Sequence, residues 1–239
     1  MNHLLSKIGS YPFEKLNLLH KDIKPSKDVI NLSIGEPKLN ADSKVLDILN
    51  KEANSFSNYP PMNAIPELSE AYRQYLESHF GIKNVAEDEV CLVAGTREGT
   101  FSIIQALFNK ENVKDKPYVV MPNPFYQIYG GATTLAGGEA KFLDCPEEDN
   151  FQPDLDSLKS EDWQKCQILV LCSPNNPTGS VLPLSKLKNI LDLAEKYDFY
   201  VVSDECYVDL YTSEKSCPSI LQASSDRSDR LIALHSLSK

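Results

Sequence analysis

The chain has 239 residues, 41% of them hydrophobic and 24% charged, with a formal net charge of −10. That balance suits a soluble globular protein of one large domain or two modest ones, with a sizeable core. The acidity argues against nonspecific nucleic-acid binding, which needs clustered Lys and Arg, but a locally positive pocket remains open to an anionic small molecule. The six cysteines, at positions 91, 145, 166, 172, 206 and 217, form no CxxC pair and have no His at metal spacing. No metal is therefore expected, and a reducing cytoplasm fits best. Cys166 and Cys172 flank an apolar run and read as buried thiols. The apolar stretch near Met1 is too short for a signal peptide, and no run reaches transmembrane length.

Helical and strand patterns alternate along the chain. Val29–Ile34 is a short apolar segment, and Asp42–Phe56 is predicted helical, with Val45, Leu46, Ile48 and Leu49 clustered. Ile65–Phe80 is periodic, placing Ile65, Leu68, Tyr72, Tyr75, Leu76 and Phe80 on one helical face. Val90–Ala94 reads as a strand, Arg97–Phe108 as a helix, Pro117–Met121 as a strand and Phe125–Ala136 as a helix. Ala140–Leu143 and Gln167–Cys172 are predicted strands. Pro183–Asp198 follows as a helix whose stripe runs Leu184, Leu187, Ile190, Leu191, Ala194 and Tyr197, with Pro183 suited to the first turn. Phe199–Ser203 and Leu231–His235 complete the strands. Short, continuous apolar strands between helices predict an α/β three-layer sandwich around a mostly parallel sheet. Residues 1–58 carry fewer strand signals and are expected to form an arm and part of a smaller domain, leaving 59–239 as the larger one.

Such sheets bind ligands beyond the carboxyl ends of their strands, and polar segments recur there. Gly95-Thr-Arg-Glu-Gly99 opens a helix, where free N–H groups and a hydroxyl make either an anion site or a plain tight turn. No Walker lysine and no GxGxxG is present, which speaks against P-loop and dinucleotide sites. Asn123-Pro-Phe-Tyr-Gln-Ile-Tyr129 brings aromatic rings able to stack on a planar ligand, although Phe125 reads better as core. Ser173-Pro-Asn-Asn-Pro-Thr-Gly179 is a rigid polar loop whose asparagines could bond a ligand oxygen. Ser203-Asp-Glu-Cys-Tyr207 follows a strand buried on both faces, where Asp204 needs a partner such as a protonated ring nitrogen. A local turn cap is the plainer role for Asp204, Glu205 and Tyr207. Finally Lys239, behind Ser236 and Ser238, is a candidate Schiff-base nucleophile. The separations 204 − 176 = 28 and 239 − 204 = 35 each fit one helix, a connection and a strand, so Asn176, Asp204 and Lys239 can reach one rim.

Asn-Pro-Thr-Gly, then Asp-x-x-Tyr, then Ser-x-Ser-Lys in that order resembles the class I/II aminotransferases, pyridoxal-phosphate enzymes of fold type I. The likeness runs from about Ser33 to Lys239. Within the family, Asn123–Tyr129, Ser203–Tyr207 and Leu234–Lys239 look most like the branch acting on succinyldiaminopimelate in lysine biosynthesis. The resemblance implies that Lys239 bonds the cofactor and shuttles a proton, and that Asp204 pairs with the pyridinium nitrogen. Asn176 and Tyr207 would bond the phenolic oxygen, and Tyr126 would stack on the ring. Thr96, Arg97, Ser236 and Ser238 would hold the phosphate. Tyr59 would reach the neighbouring subunit's phosphate in a homodimer, and the Gly35 backbone would meet the substrate carboxylate.

Two departures stand out. Ala64 occupies a position that is usually glycine in the family, which puts the local loop shape in question. Family members also continue well past the lysine, into an arginine for the phosphate, another for the substrate carboxylate, and an antiparallel strand inserted beside Leu231–His235. The chain is therefore expected to be the N-terminal part of such an enzyme, with an incomplete large domain, and to be poorly stable and inactive alone. A β-lyase or another aminotransferase of the same fold stays open, as does an inactive cofactor-binding or regulatory module.

Overall fold

The computed structural model describes every residue except 1, 10, 31, 33, 36–39, 58, 60–64, 112–115, 212–216 and 225–227. Its helices are α1 (Pro12–His20), α2 (Ser43–Lys51), α3 (Pro66–Phe80), α4 (Thr96–Leu107), α5 (Ile128–Ala136), α6 (Ser160–Trp163) and α7 (Leu184–Tyr197). The strands are β1 (Tyr118–Asn123), β2 (Glu139–Asp144), β3 (Cys166–Cys172), β4 (Tyr200–Asp204) and β5 (Leu231–Leu234). Two compact units result, one formed by residues 1–30 with 93–237 and the other by residues 31–92 with 238–239.

The first unit holds a five-stranded sheet in the order β2-β1-β3-β4-β5, and every pairing is parallel. Alternate strand residues face opposite ways, and both faces are covered. Val120, Leu169, Leu171 and Val201 pack with Leu187, Ile190, Leu191 and Ala194 of α7 and with Trp163 and Phe199, whose rings stack 5.5 Å apart. On the other face, Val119, Met121, Ile168, Val170 and Val202 pack against Ile104 of α4 and against Tyr129 and Ala132 of α5. Two-sided burial is why these strands read as unbroken apolar runs. Cys166 and Cys172 are buried as expected, and all six cysteines are free thiols.

The strand order reverses between β1 and β3, which makes the crevice outside their carboxyl ends the natural ligand site. The segments after β1, β3 and β4 are the ones singled out by their polar residues.

The expected strand Val90–Ala94 is not formed: those residues join no ladder, and Leu92 and Val93 are exposed. An apolar run becomes a strand only against a hydrogen-bonding neighbour, and β5 pairs only with β4 among the described residues. The helix expected over 42–56 stops at Lys51 and continues as a 3₁₀ segment, Ala53–Ser57. Pro183 sits at the N-cap of α7 in extended backbone, one residue before its predicted place in the first turn. Val29–Ile34 contributes no strand among its described residues.

In the second unit, α3 buries Ser69, Leu76 and Phe80 and leaves Ile65 and Leu68 exposed, so only the C-terminal half of the expected apolar face is covered. Gly81 ends α3 at φ 70°, donating to the Glu77 and Leu76 carbonyls. No atom lies near the position a Cβ would occupy, so strain alone sets the cost of a side chain there. Gly81→Ala should lower stability by about 1 kcal/mol, read as a shift in a urea-unfolding midpoint.

Candidate active site

The site grows from the carboxyl ends of β1, β3 and β4. Asp204 is the last residue of β4 and is 3% exposed, because its strand lies between two others with helices on both faces. One oxygen, Oδ2, accepts a hydrogen bond from the Tyr129 hydroxyl at 2.8 Å. Its other oxygen, Oδ1, is buried and accepts no hydrogen bond among the described residues. Burial raises the carboxyl above its usual range, while the Tyr129 hydroxyl and the nearby Cys206 thiol and amide favour the ionised form.

Tyr129 was not singled out as a binding residue, yet it is fully buried in α5. Burial, and then the neighbouring Cys172 and Asp204, push its hydroxyl well above the ordinary tyrosine value, so it stays protonated and donates to the carboxylate. Tyr126, three residues earlier, packs edge-on against it with ring centroids 5.7 Å apart. The Tyr126 hydroxyl accepts from Arg97 Nε at 3.0 Å, and that bond raises the guanidinium further. Two hydrogen-bonded pairs, Arg97 with Tyr126 and Tyr129 with Asp204, are thus joined by a ring contact between the tyrosines. Phe125 instead packs with Phe142, as its reading as core implied.

The loop after β3 is tied by its own bonds. The Asn175 N–H donates to the Ser180 carbonyl at 2.9 Å, the Gly179 N–H to the Asn175 carbonyl at 2.8 Å, and the Leu182 N–H to Ser173 Oγ at 3.0 Å. This fixes Asn176, whose Nδ2 donates to the Tyr207 hydroxyl at 3.4 Å. Burial raises Tyr207 to about 12, helped by Cys206, Cys172, Asp204 and Tyr126 close by. Cys172, at the end of β3, is likewise pushed up to about 12, first by burial and then by Asp204. Its thiol stays protonated at neutral pH and donates to the Pro174 carbonyl.

The N-terminus of α4 lies beside these residues, Arg97 being bonded to Tyr126. α4 begins at Thr96 after Gly95, whose φ of 142° is open only to glycine, and a Cβ there would meet Glu98 Oε2 at 2.9 Å. No side chain caps this helix, and its first bond is Gly99 N–H to the Gly95 carbonyl. The earlier N–H groups therefore point out of the helix end. Gly99, in the first turn of α4, lies against the Leu234 side chain at the end of β5.

Of the residues picked from sequence, Thr96, Arg97, Tyr126, Asn176, Asp204, Tyr207 and Ser236 belong to the first unit. Gly35, Tyr59, Ser238 and Lys239 belong to the second, where Lys239 Nζ donates to the Gly35 carbonyl at 3.4 Å and Tyr59 is fully exposed. Ala64 lies outside the described residues.

The strand ends of this parallel α/β sheet thus bring together a buried acid, a tyrosine bonded to Arg97 and a helix N-terminus without a side-chain cap. A family model described as aminotransferase class I and II matches residues 27–239, and the chain belongs to that family. Its members use pyridoxal phosphate. LL-diaminopimelate aminotransferase 2 of Nostoc sp. is 30% identical over 98% of this chain and 60% of its own length, and the LL-diaminopimelate aminotransferase of Aquifex aeolicus matches at the same values. A solved aminotransferase from Neisseria meningitidis superposes at TM-score 0.91 with 38% identity, covering 100% of this chain and 61% of that one. Aminotransferase AspB from Helicobacter pylori gives 0.89 and 33%, covering 97% and 61%. The chain thus spans about 60% of the length of these relatives.

The residues present fit the cofactor. Asp204 offers a buried carboxylate oxygen, Oδ1, that accepts no hydrogen bond among the described residues, at the end of a strand. A protonated ring nitrogen supplies both the hydrogen bond and the opposite charge that such an oxygen needs.

Proposed function

We propose that the full-length protein carrying this sequence is a pyridoxal-phosphate-dependent aminotransferase. It moves an amino group between glutamate/2-oxoglutarate and an amino or keto diacid, with N-succinyl-L,L-diaminopimelate as the substrate, in lysine biosynthesis. The observation that carries the reading is Asp204: a buried carboxylate held by Tyr129 on one oxygen and open on the other. The names of the Nostoc and Aquifex relatives support a diaminopimelate-type diacid, and the wording of the 123–129, 203–207 and 234–239 segments favours its succinylated form.

When bound, the cofactor supplies an electron sink next to the substrate Cα. Asp204 holds the ring-nitrogen proton that keeps the sink effective. Asn176 and Tyr207 orient the ring through its phenolic oxygen, and Tyr126 covers a ring face. Thr96, Arg97, Ser236 and Ser238 bind the phosphate. Lys239 would hold the cofactor's aldehyde carbon through its amine and would move the proton at Cα, and the Gly35 backbone would meet the substrate carboxylate. Tyr59 reaches the phosphate of a second subunit in a homodimer. With six free cysteines, the protein is assigned to the cytoplasm. Turnover is proposed for the full-length protein and not for residues 1–239 alone, since every relative above is longer.

The test is a coupled assay of the purified full-length protein with glutamate and the keto form of N-succinyl-diaminopimelate, following 2-oxoglutarate. A keto acid turned over at less than a hundredth of the rate with aspartate or an aromatic amino donor would overturn the substrate assignment. Release of ammonia and pyruvate from a sulfur amino acid, without amino transfer, would replace the whole reading with a β-lyase.

A further inference from the structure

Glu205 and His235 form a pair that the cofactor site does not use directly. Glu205 is 1% exposed and follows Asp204 at the end of β4. Its Oε1 accepts from Ser203 Oγ at 2.9 Å and from the Ile220 N–H at 2.8 Å. Its Oε2 lies 3.1 Å from His235 Nε2, and the His235 side chain is 8% exposed. The Glu205 N–H donates to the Leu234 carbonyl at 2.8 Å, so residues 205 and 234 are tied through the backbone, while Glu205 Oε2 and His235 Nε2 face each other in close contact without hydrogen-bond geometry. One buried carboxylate thus joins the ends of β4 and β5 to the 3₁₀ turn Ile220–Ala223.

Placement gives this knot its consequence. Glu205 is the residue after Asp204, and His235 is the residue before Ser236, where the chain leaves the sheet toward Ser238 and Lys239. Beyond Leu234 the strand ladder has ended, so its hydrogen bonds no longer fix where Ser236 points. The close contact of His235 with Glu205 is one restraint that continues past that point. A buried acid has a strong need for such a partner, because ionised carboxylates tolerate burial only when paired and hydrogen-bonded. Packing alone would have been met by an apolar pair of similar volume.

We propose that Glu205 and His235 are positioning residues: the buried pair sets the spacing between Asp204, which takes the ring nitrogen, and Ser236, which takes the phosphate. This rests on the cofactor reading above. The pair makes the site selective for a pyridine ring carrying a phosphate at the matching distance.

Apoprotein of the full-length protein is titrated by equilibrium dialysis with pyridoxal phosphate and, separately, with pyridoxal, which lacks the phosphate. Wild type should prefer the phosphorylated form. His235→Leu should weaken pyridoxal phosphate binding by about tenfold, the usual size of losing a group that orients a ligand-binding residue, while pyridoxal binding changes less than about twofold on the same scale. The preference ratio therefore collapses by most of that factor. A general structural defect would lower both affinities together, and an unchanged ratio overturns the proposal. Should His235→Leu not fold, His235→Phe carries the same test, since a ring fills the space without a nitrogen to meet Glu205; a ratio equal to wild type again overturns it. Wild-type apoprotein that binds neither compound would instead sink the cofactor reading itself.

Discussion

Lys239→Ala should abolish covalent labelling of the full-length protein by pyridoxal phosphate after borohydride reduction, and turnover should fall by roughly a thousandfold or more. The argument starts from chain geometry. β5 ends at Leu234, and five residues later Lys239 stands behind Ser236 and Ser238. A primary amine on a flexible stem is the one side chain here that can both bond an aldehyde carbon and carry a proton at the adjacent centre. Alanine removes both capacities at once, whereas Lys239→Arg keeps the charge and loses the nucleophile. The arginine variant should therefore be as dead as the alanine variant while still binding the cofactor noncovalently. The reading is a peptide map of the reduced, labelled protein together with kcat. A labelled lysine elsewhere in the chain, or a label that survives in Lys239→Ala, would reject the assignment.

The sheet was legible because two-sided burial leaves a local mark. β1, β3, β4 and β5 are each within about two residues of the apolar runs that announce them, and α3, α4 and α7 follow their 3.6-residue periods. Val90–Ala94 has the same apolar mark and yet forms no strand, because a ladder needs a neighbour and no local pattern encodes one. α1 escaped notice for the opposite reason: it forms, but Leu18 and Leu19 are exposed, so no buried stripe marks it. Among site residues, Asn176, Asp204 and Tyr207 stood out as polar side chains just past apolar strands. Tyr129 did not, because an aromatic residue on a buried helix face reads as core. The available signal was the rule that a buried tyrosine hydroxyl finds a partner. The Glu205–His235 pair could not be read at all, since a contact across 235 − 205 = 30 residues depends on β4 and β5 being neighbours.

Asp204→Asn should cost turnover roughly 10²–10³-fold, the range seen when one preorganised electrostatic partner is lost, and should make the cofactor-free protein more stable at neutral pH. The two effects have one cause. Burial raises the Asp204 carboxyl above its unfolded value, more than the bonds from Tyr129 and Cys206 lower it. The folded state therefore keeps this proton to a higher pH than the unfolded chain does. Its contribution to stability is fully present below the ordinary carboxylate range and is lost as pH rises through the raised folded value. Asparagine keeps an oxygen for the Tyr129 hydroxyl and never ionises, so it escapes that loss. Wild type and variant should melt alike near pH 4 without cofactor, and the variant should gain about 1 kcal/mol by pH 7, a typical return for removing a functional group that strains the fold. Pyridoxal phosphate should reverse the order. A protonated ring nitrogen against Asp204 favours the ionised carboxylate, so the cofactor should raise the wild-type melting temperature more than that of Asp204→Asn. Thermal melts at the two pH values, with and without pyridoxal phosphate, read all four combinations. A variant stabilised by the cofactor as strongly as wild type would show that Asp204 does not meet the ring nitrogen.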